Sequence, residues 1–170
     1  MNVAKLGALV LGLGYVAGGV IGFAITGFTG FVANTDETFL GFFDLNIFHN
    51  IVHLGIGAGL IIASRMRDTT ITQGVLIGVG LFYLLAAVLG FLNYLQIISI
   101  NDSLSFDNFF HLLSGAVALI FGLLGVRQQD DSLHDTRPGT GGQPAGEGTL
   151  PIANRRAQWD RDETYREEAY

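Results

Sequence analysis

The sequence predicts an all-α membrane protein: a four-transmembrane-helix bundle of two tandem helical hairpins, followed by a disordered cytoplasmic C-terminal tail. Two observations predict the bundle, namely four long runs that are almost free of charge and a polar motif that occurs twice. The composition agrees, since 49% of the 170 residues are hydrophobic and 14% are charged. A water-soluble bundle is disfavoured, because its helices need a polar face and these runs have none.

The runs predict four helices, which together form a transmembrane domain over residues 1–126. Each run reaches the roughly 18 to 20 residues that are needed to cross ~30 Å of hydrocarbon. The expected helices cover about residues 6–32, 45–64, 72–98 and 107–126.

The first run follows Lys5 and has some likeness to a secretory signal. Signal peptides have an apolar core of about 7 to 15 residues, so the greater length favours a retained helix. The internal repeat, with a constant offset of 58 positions, places Gly22 opposite Gly80. This alignment matches the first helix to the third.

The polar motif Asn-x-x-His-Leu appears in the second and fourth runs. The two copies lie 58 positions apart, with Asn50, His53 and Leu54 in the first and Asn108, His111 and Leu112 in the second. Chance similarity between apolar segments would share Leu and Ala rather than Asn and His. The repeat therefore indicates two hairpins of the same orientation, related by a pseudo-twofold axis along the membrane normal.

Basic residues predict the orientation, because Lys and Arg are retained on the cytoplasmic side. Lys5, Arg65, Arg67 and Arg127 flank one side of the predicted spans, and the connectors on the other side are acidic. We expect a multi-pass protein of the plasma membrane with both termini in the cytoplasm.

Residues 127–170 are predicted to be a flexible cytoplasmic tail. This segment is rich in Gly, Pro and charged residues, and it has little apolar surface to bury. For its last part, residues 154–170, which include Trp159, the alternative is a short amphipathic helix or a partner-binding peptide. The chain has no cysteine, which excludes disulfides and thiolate metal sites.

Seven polar residues form the predicted network inside the bundle: Asn46, His49, Asn50, His53, Asp107, Asn108 and His111. Helical spacing places those of each helix on one face or on two adjoining faces. The structural interpretation is a clasp in which Asn50 bonds to His111 and Asn108 bonds to His53.

Other interpretations of the network stay open. Imidazoles from two helices are suited to bind haem or, with Asp107, a divalent metal, so the candidate ligands are His49, His53, His111 and Asp107. A proton relay or a small transporter or channel-like oligomer is a further alternative, since intramembrane His and Asp occur in such proteins.

Glycines at intervals of four residues predict close helix packing, either inside the bundle or between subunits. The predicted packing positions are Gly14, Gly18, Gly22, Gly55, Gly59, Gly74 and Gly78.

The motifs carry a resemblance. The pattern Asn46-x-x-His49-Asn50-x-x-His53-Leu54, followed by Asp107-Asn108-x-x-His111-Leu112, resembles a bacterial family of four-helix membrane proteins catalogued only as a domain of unknown function. The resemblance covers about residues 5–126 and implies a fold and a membrane location. It implies no reaction, substrate or cofactor.

The sequence thus favours a non-enzymatic membrane protein with a structural or accessory role. No Ser, His and acid set suited to nucleophilic catalysis is evident, and we expect no cofactor. The predicted partners are the lipid bilayer and either further copies of the chain or a larger membrane complex; a nucleic-acid partner is not expected.

Overall fold

The computed structural model describes residues 2–28, 31–32 and 37–135, and within these ranges the chain is all-α apart from one short hairpin of strands. The elements are α1 (Val3–Thr26), β1 (Thr38–Phe39), β2 (Phe43–Asp44), α2 (Ile47–Arg65), α3 (Thr69–Phe91), a 3-10 helix (Gln96–Ile98) and α4 (Phe106–Asp135). The strands are antiparallel, with Phe39 opposite Phe43.

The four helices each meet the length and hydropathy needed to cross a membrane. The spanning segments are Val3–Thr26, Ile47–Arg65, Thr69–Phe91 and Phe106–Ser132. The predicted fold class, a four-transmembrane-helix bundle, is confirmed, and the chain is a multi-pass membrane protein in its architecture.

Two helices, α1 and α3, end earlier than the sequence predicts. α1 ends at Thr26 rather than near residue 32, because Gly27 has a positive φ of 62° that leaves the helical path. α3 ends at Phe91 rather than near residue 98, and Asn93 follows it with a φ of 61°. The residues directly after these helices, 27–35 and 92–101, are uncharged, so the lack of charge did not mark where the helices stop.

The fourth helix is longer than predicted. It continues to Asp135, so residues 127–135, which the sequence placed in the tail, belong to α4. Polar residues continue the helix because it has already nucleated within the apolar span. The predicted disorder of the remaining tail concerns residues 136–170, which lie outside the described residues.

The helices pair as two hairpins. α1 packs mainly on α2, and α3 packs mainly on α4; between the hairpins, α1 contacts α4 and α3, and α2 contacts α3. α2 and α4 lie on the long diagonal of the bundle. The arrangement agrees with the predicted pseudo-twofold relation between the hairpins.

Each hairpin is closed by one pair of facing glycines. A Cβ on Gly12 would lie 2.8 Å from the carbonyl oxygen of Gly57, and a Cβ on Gly80 would lie 3.0 Å from that of Gly115. Gly12 and Gly80 are 68 positions apart, whereas Gly57 and Gly115 are 58 apart. The first hairpin therefore carries ten extra connector residues, which accommodate β1 and β2.

This difference in offset corrects the predicted match of Gly22 to Gly80. Gly22 is equivalent to Gly90, because the two glycines contact the side-chain amides of Asn50 and Asn108, respectively. The single offset of 58 holds for α2 and α4 but not for α1 and α3.

Most of the predicted packing glycines do not pack against the residues that the structure describes. Among those residues, a Cβ would meet nothing within 4 Å at five of the glycines: Gly14, Gly55, Gly59, Gly74 and Gly78. Of the other two, Gly18 lies near His53 and Gly22 contacts Asn50. The prediction of close packing inside the bundle is wrong for the five, because spacing identifies a helix face without showing which way the face points.

The two ends of the bundle differ in charge. At one end Lys5 Nζ donates to the carbonyl oxygens of Met66, at 2.7 Å, and Arg67, at 3.3 Å, which joins the start of α1 to the α2–α3 connector. The other end holds Asp44 and Asp107, and the described parts of its two connectors contain no Lys or Arg. We call these the basic end and the connector end.

Candidate functional site

Buried polar side chains are concentrated toward the connector end of the bundle. The side chains of the predicted network are buried, apart from the half-buried His53: Asn46, His49, Asn50, Asp107, Asn108 and His111 are each 3% exposed or less. Such side chains need partners inside a membrane protein, where water is absent. They divide into three groups, each with its own contacts.

The first group consists of Asn50 and Asn108, which form hydrogen bonds within their own hairpins. Asn50 Nδ2 donates to Thr26 Oγ1 over 2.9 Å, which ties α2 to the end of α1. Asn108 Nδ2 donates to the carbonyl oxygens of Asp102 and Ser103, each over 3.1 Å, which ties the start of α4 to the connector before it.

The predicted bonds from Asn50 to His111 and from Asn108 to His53 are therefore wrong. Each amide turns instead toward the glycine of its own hairpin, Gly22 or Gly90. A glycine has no Cβ and so leaves space that the amide fills.

The second group joins the two hairpins, and we call it the connector clasp: Asn46, Asp107 and Ser105 with the segments they bind. Asn46 Nδ2 donates to the carbonyl oxygen of Ile97 in the second connector over 3.0 Å. In return, Asp107 Oδ2 accepts from the backbone N–H of Asp44 in the first connector over 2.8 Å. Ser105 Oγ lies 3.2 Å from the carboxylate of Asp44.

Asn46 also begins α2. Its side-chain oxygen accepts from the N–H of His49 over 2.8 Å, as an N-cap. One side chain thus both starts a helix of the first hairpin and binds the connector of the second.

The third group is the histidine cluster, His49, His53 and His111. One ring nitrogen of each lies within 4.8 Å of those of the other two. The ring centroids of His49 and His53 are 4.5 Å apart, and those of His49 and His111 are 6.0 Å apart. The cluster spans the long diagonal of the bundle, with two histidines from α2 and one from α4.

The tautomer of His49 follows from its contact. His49 Nδ1 lies 2.9 Å from the carbonyl oxygen of Asp44, and a carbonyl only accepts, so Nδ1 carries the proton. The other nitrogen, Nε2, then has a free lone pair. Within the described residues, neither His49 Nε2 nor His111 Nδ1 has a hydrogen-bond partner, although both atoms are buried.

Two tyrosines beside the cluster were missed in the sequence. The rings of Tyr15 and Tyr83 stack with centroids 5.0 Å apart where α1 meets α3. Tyr15 packs on His53 and Tyr83 packs on His111, each with centroids 5.4 Å apart. A second repeat, Gly-Leu-x-Tyr at an offset of 68, contains both tyrosines and would have revealed them.

Asp107 does not join the histidines. It is not part of the cluster, and its carboxylate is held by Asp44 and Ser105. The predicted metal set of three histidines and Asp107 is thus not assembled, whereas the three histidines come together.

Cavities reach the cluster from two sides. One, of about 400 Å³, lies between α1 and α4 and is lined by small residues of α1, by aromatic rings and by His53, His111 and Asp107. The other, of about 220 Å³, lies between α2 and α3 and includes all three histidines in its lining. Both cavities are largely apolar.

Residues 5–124 match the family described as domain of unknown function (DUF4383). The chain belongs to the DUF4383 family. No curated protein and no solved structure matches it.

The DUF4383 match includes all three polar groups and both tyrosines, and it ends inside α4. The expected resemblance to a family of unknown function is thereby confirmed. The family brings no reaction or ligand, so any specific role has to be argued from the site itself.

Proposed function

We propose that this DUF4383 protein is a non-enzymatic, structural or accessory protein of the plasma membrane, in which the connector clasp holds two helical hairpins as one unit. The observation that carries the proposal is the reciprocity of the clasp. Each hairpin supplies one buried side chain, Asn46 or Asp107, that binds the backbone of the other hairpin's connector.

The membrane environment explains why such bonds matter. Lipid tails are as apolar as the helix surfaces, so there is no hydrophobic force to drive one hairpin onto the other. Close packing and interhelical hydrogen bonds supply the attraction, at roughly 0.6 to 2 kcal/mol for each bond. The clasp adds bonds at the end where the hairpins are joined by no covalent connector.

We place both termini in the cytoplasm and the two acidic connectors outside. Every Lys and Arg among the described residues lies at the basic end, at Lys5, Arg65, Arg67 and Arg127. Lys and Arg near membrane spans are retained on the cytoplasmic side, which supports this orientation.

The orientation is tested by labelling single cysteines in intact cells, and the natural absence of cysteine removes background. Met66→Cys lies at the basic end and Leu104→Cys at the connector end, and both positions are exposed. We expect a membrane-impermeant maleimide to label Leu104→Cys in intact cells and Met66→Cys only after permeabilisation. Labelling of Met66→Cys in intact cells would overturn the orientation.

The bilayer is the partner that the spanning helices require. Association with further copies or with a larger membrane complex remains a prediction. Gly74 and Gly78 on α3, where a Cβ would meet nothing within 4 Å, are positions at which a neighbouring helix would approach closely.

A further inference from the structure

The connector clasp leaves the histidine cluster without a role. The clasp uses Asn46, Asp107 and Ser105, whereas Asn50 and Asn108 form hydrogen bonds within their own hairpins. The imidazoles of His53 and His111 take part in neither set of bonds. Buried polar nitrogens with no partner are costly in a membrane interior, so an unused group of them points to a ligand.

We propose that His49, His53 and His111 bind one divalent transition-metal ion of the Zn²⁺ class, with a fourth position left open. Three imidazole nitrogens around such an ion, at ~2.0 Å from it, lie roughly 3.3 Å from one another. The nitrogens here already lie within 4.8 Å of one another. Small side-chain rotations are enough to bring them onto a shared ion.

The contact of His49 with the first connector prepares it as a ligand. Metal-binding histidines usually donate their second ring N–H to a carbonyl or a carboxylate, which fixes the ring and the tautomer. His49 Nδ1 does this with the carbonyl oxygen of Asp44, leaving Nε2 as the donor atom for a metal.

The charges near the cluster favour a cation. Asp107 lines the same cavity as His53 and His111, and no Lys or Arg is among the residues that line either cavity. The acidic residues of the connectors, Glu37, Asp44 and Asp102, attract a dication, and neutral imidazoles provide its ligands. The acidic connector end would therefore attract the metal ion from one side of the membrane.

The crowding around the rings favours an ion over haem. A haem would need a flat open space between His111 and a histidine of α2, yet the His53 ring lies 4.5 Å from that of His49 and the Tyr83 ring lies 5.4 Å from that of His111. An ion fits between such rings without separating the helices. The cavity between α1 and α4 would lead to the open fourth position.

The test is metal titration of the full chain in detergent, purified through a tag that contains no histidine and stripped with a chelator. We expect one Zn²⁺ per chain by elemental analysis and by calorimetry, and tetrahedral d–d absorption bands when Co²⁺ is added instead. Zn²⁺ should also raise the melting temperature. His53→Gln and His111→Gln should each weaken binding at least tenfold and abolish the rise in melting temperature.

His134 supplies the matched control, because it is the chain's one histidine outside the predicted network. His134→Gln should bind Zn²⁺ like the wild type. If a cluster variant fails to fold, the Co²⁺ spectrum of the wild type decides the question, and the absence of tetrahedral bands would overturn the proposal. Less than a tenth of an equivalent of Zn²⁺ on the wild type, or unchanged affinity in His111→Gln, would overturn it as well.

Discussion

At the scale of the residue, the buried Asn side chains bind different neighbours because of what lies opposite each one. Asn50 and Asn108 face a glycine of their own hairpin and therefore bond locally. Asn46 lies at the start of α2, where the connector of the other hairpin is within reach, so it bonds across the bundle. Position relative to a glycine or a helix end, rather than residue type, decides whether an Asn closes a hairpin or joins two.

Replacing Asn46 separates its two roles. Asn46→Ser keeps an N-cap oxygen for the N–H of His49 but is too short to reach Ile97, whereas Asn46→Ala loses both contacts. We expect thermal unfolding in detergent to show a loss of about 1 kcal/mol for the serine variant and about 2 kcal/mol for the alanine variant. Equal stability of the serine variant and the wild type would show that the bond to Ile97 contributes nothing.

At the scale of the element, each hairpin depends on backbone approach at one glycine pair. A Cβ on Gly80 would lie 2.9 Å from the backbone nitrogen of Leu119 and 3.0 Å from the carbonyl oxygen of Gly115, and backbone atoms do not move aside as a side chain would. A Cβ on Gly78, on the same helix, would meet none of the described residues within 4 Å. Gly80 is therefore needed for the close packing of α3 on α4, whereas Gly78, two positions earlier, is not.

Alanine substitutions test this difference. Gly80→Ala should force α3 and α4 apart and lower the free energy of unfolding by about 1 to 3 kcal/mol. Gly78→Ala should leave stability unchanged or raise it slightly, since Ala favours a helix over Gly by roughly 0.5 to 1 kcal/mol. Circular dichroism during thermal unfolding measures both, and similar losses in the two variants would contradict the assigned packing.

The helices also show which features of the fold can be predicted from the sequence alone. Long apolar runs and the Asn-x-x-His-Leu repeat were sufficient for the four helices, since both depend on local pattern. The helix ends at Thr26 and Phe91 could not be predicted from these patterns, because the first residues of each connector are uncharged like the helix before them. The partners of Asn50 and Asn108 depended on which helix face points inward, and a periodic pattern does not contain that information.

At the scale of the whole molecule, two hairpins with the same plan meet along a pseudo-twofold axis and differ mainly in one connector. The ten extra residues of the first connector carry the strands that present the N–H of Asp44 to Asp107. His49 and Asp107 occupy equivalent repeat positions, and they serve the cluster and the clasp respectively. The extra connector residues and the divergence at this repeat position together make the two halves of the bundle different.

The joining of the hairpins at the connector end is tested most directly by a disulfide between Asp44→Cys and Ser105→Cys, whose native side chains approach to 3.2 Å. After oxidation and trypsin cleavage in the α2–α3 connector, where Arg65 and Arg67 are exposed, the two hairpins should remain linked on a non-reducing gel. Asp44→Cys with the exposed Leu104→Cys serves as the control and should link far less. Complete separation of the hairpins in the Asp44 and Ser105 pair would contradict the connector clasp.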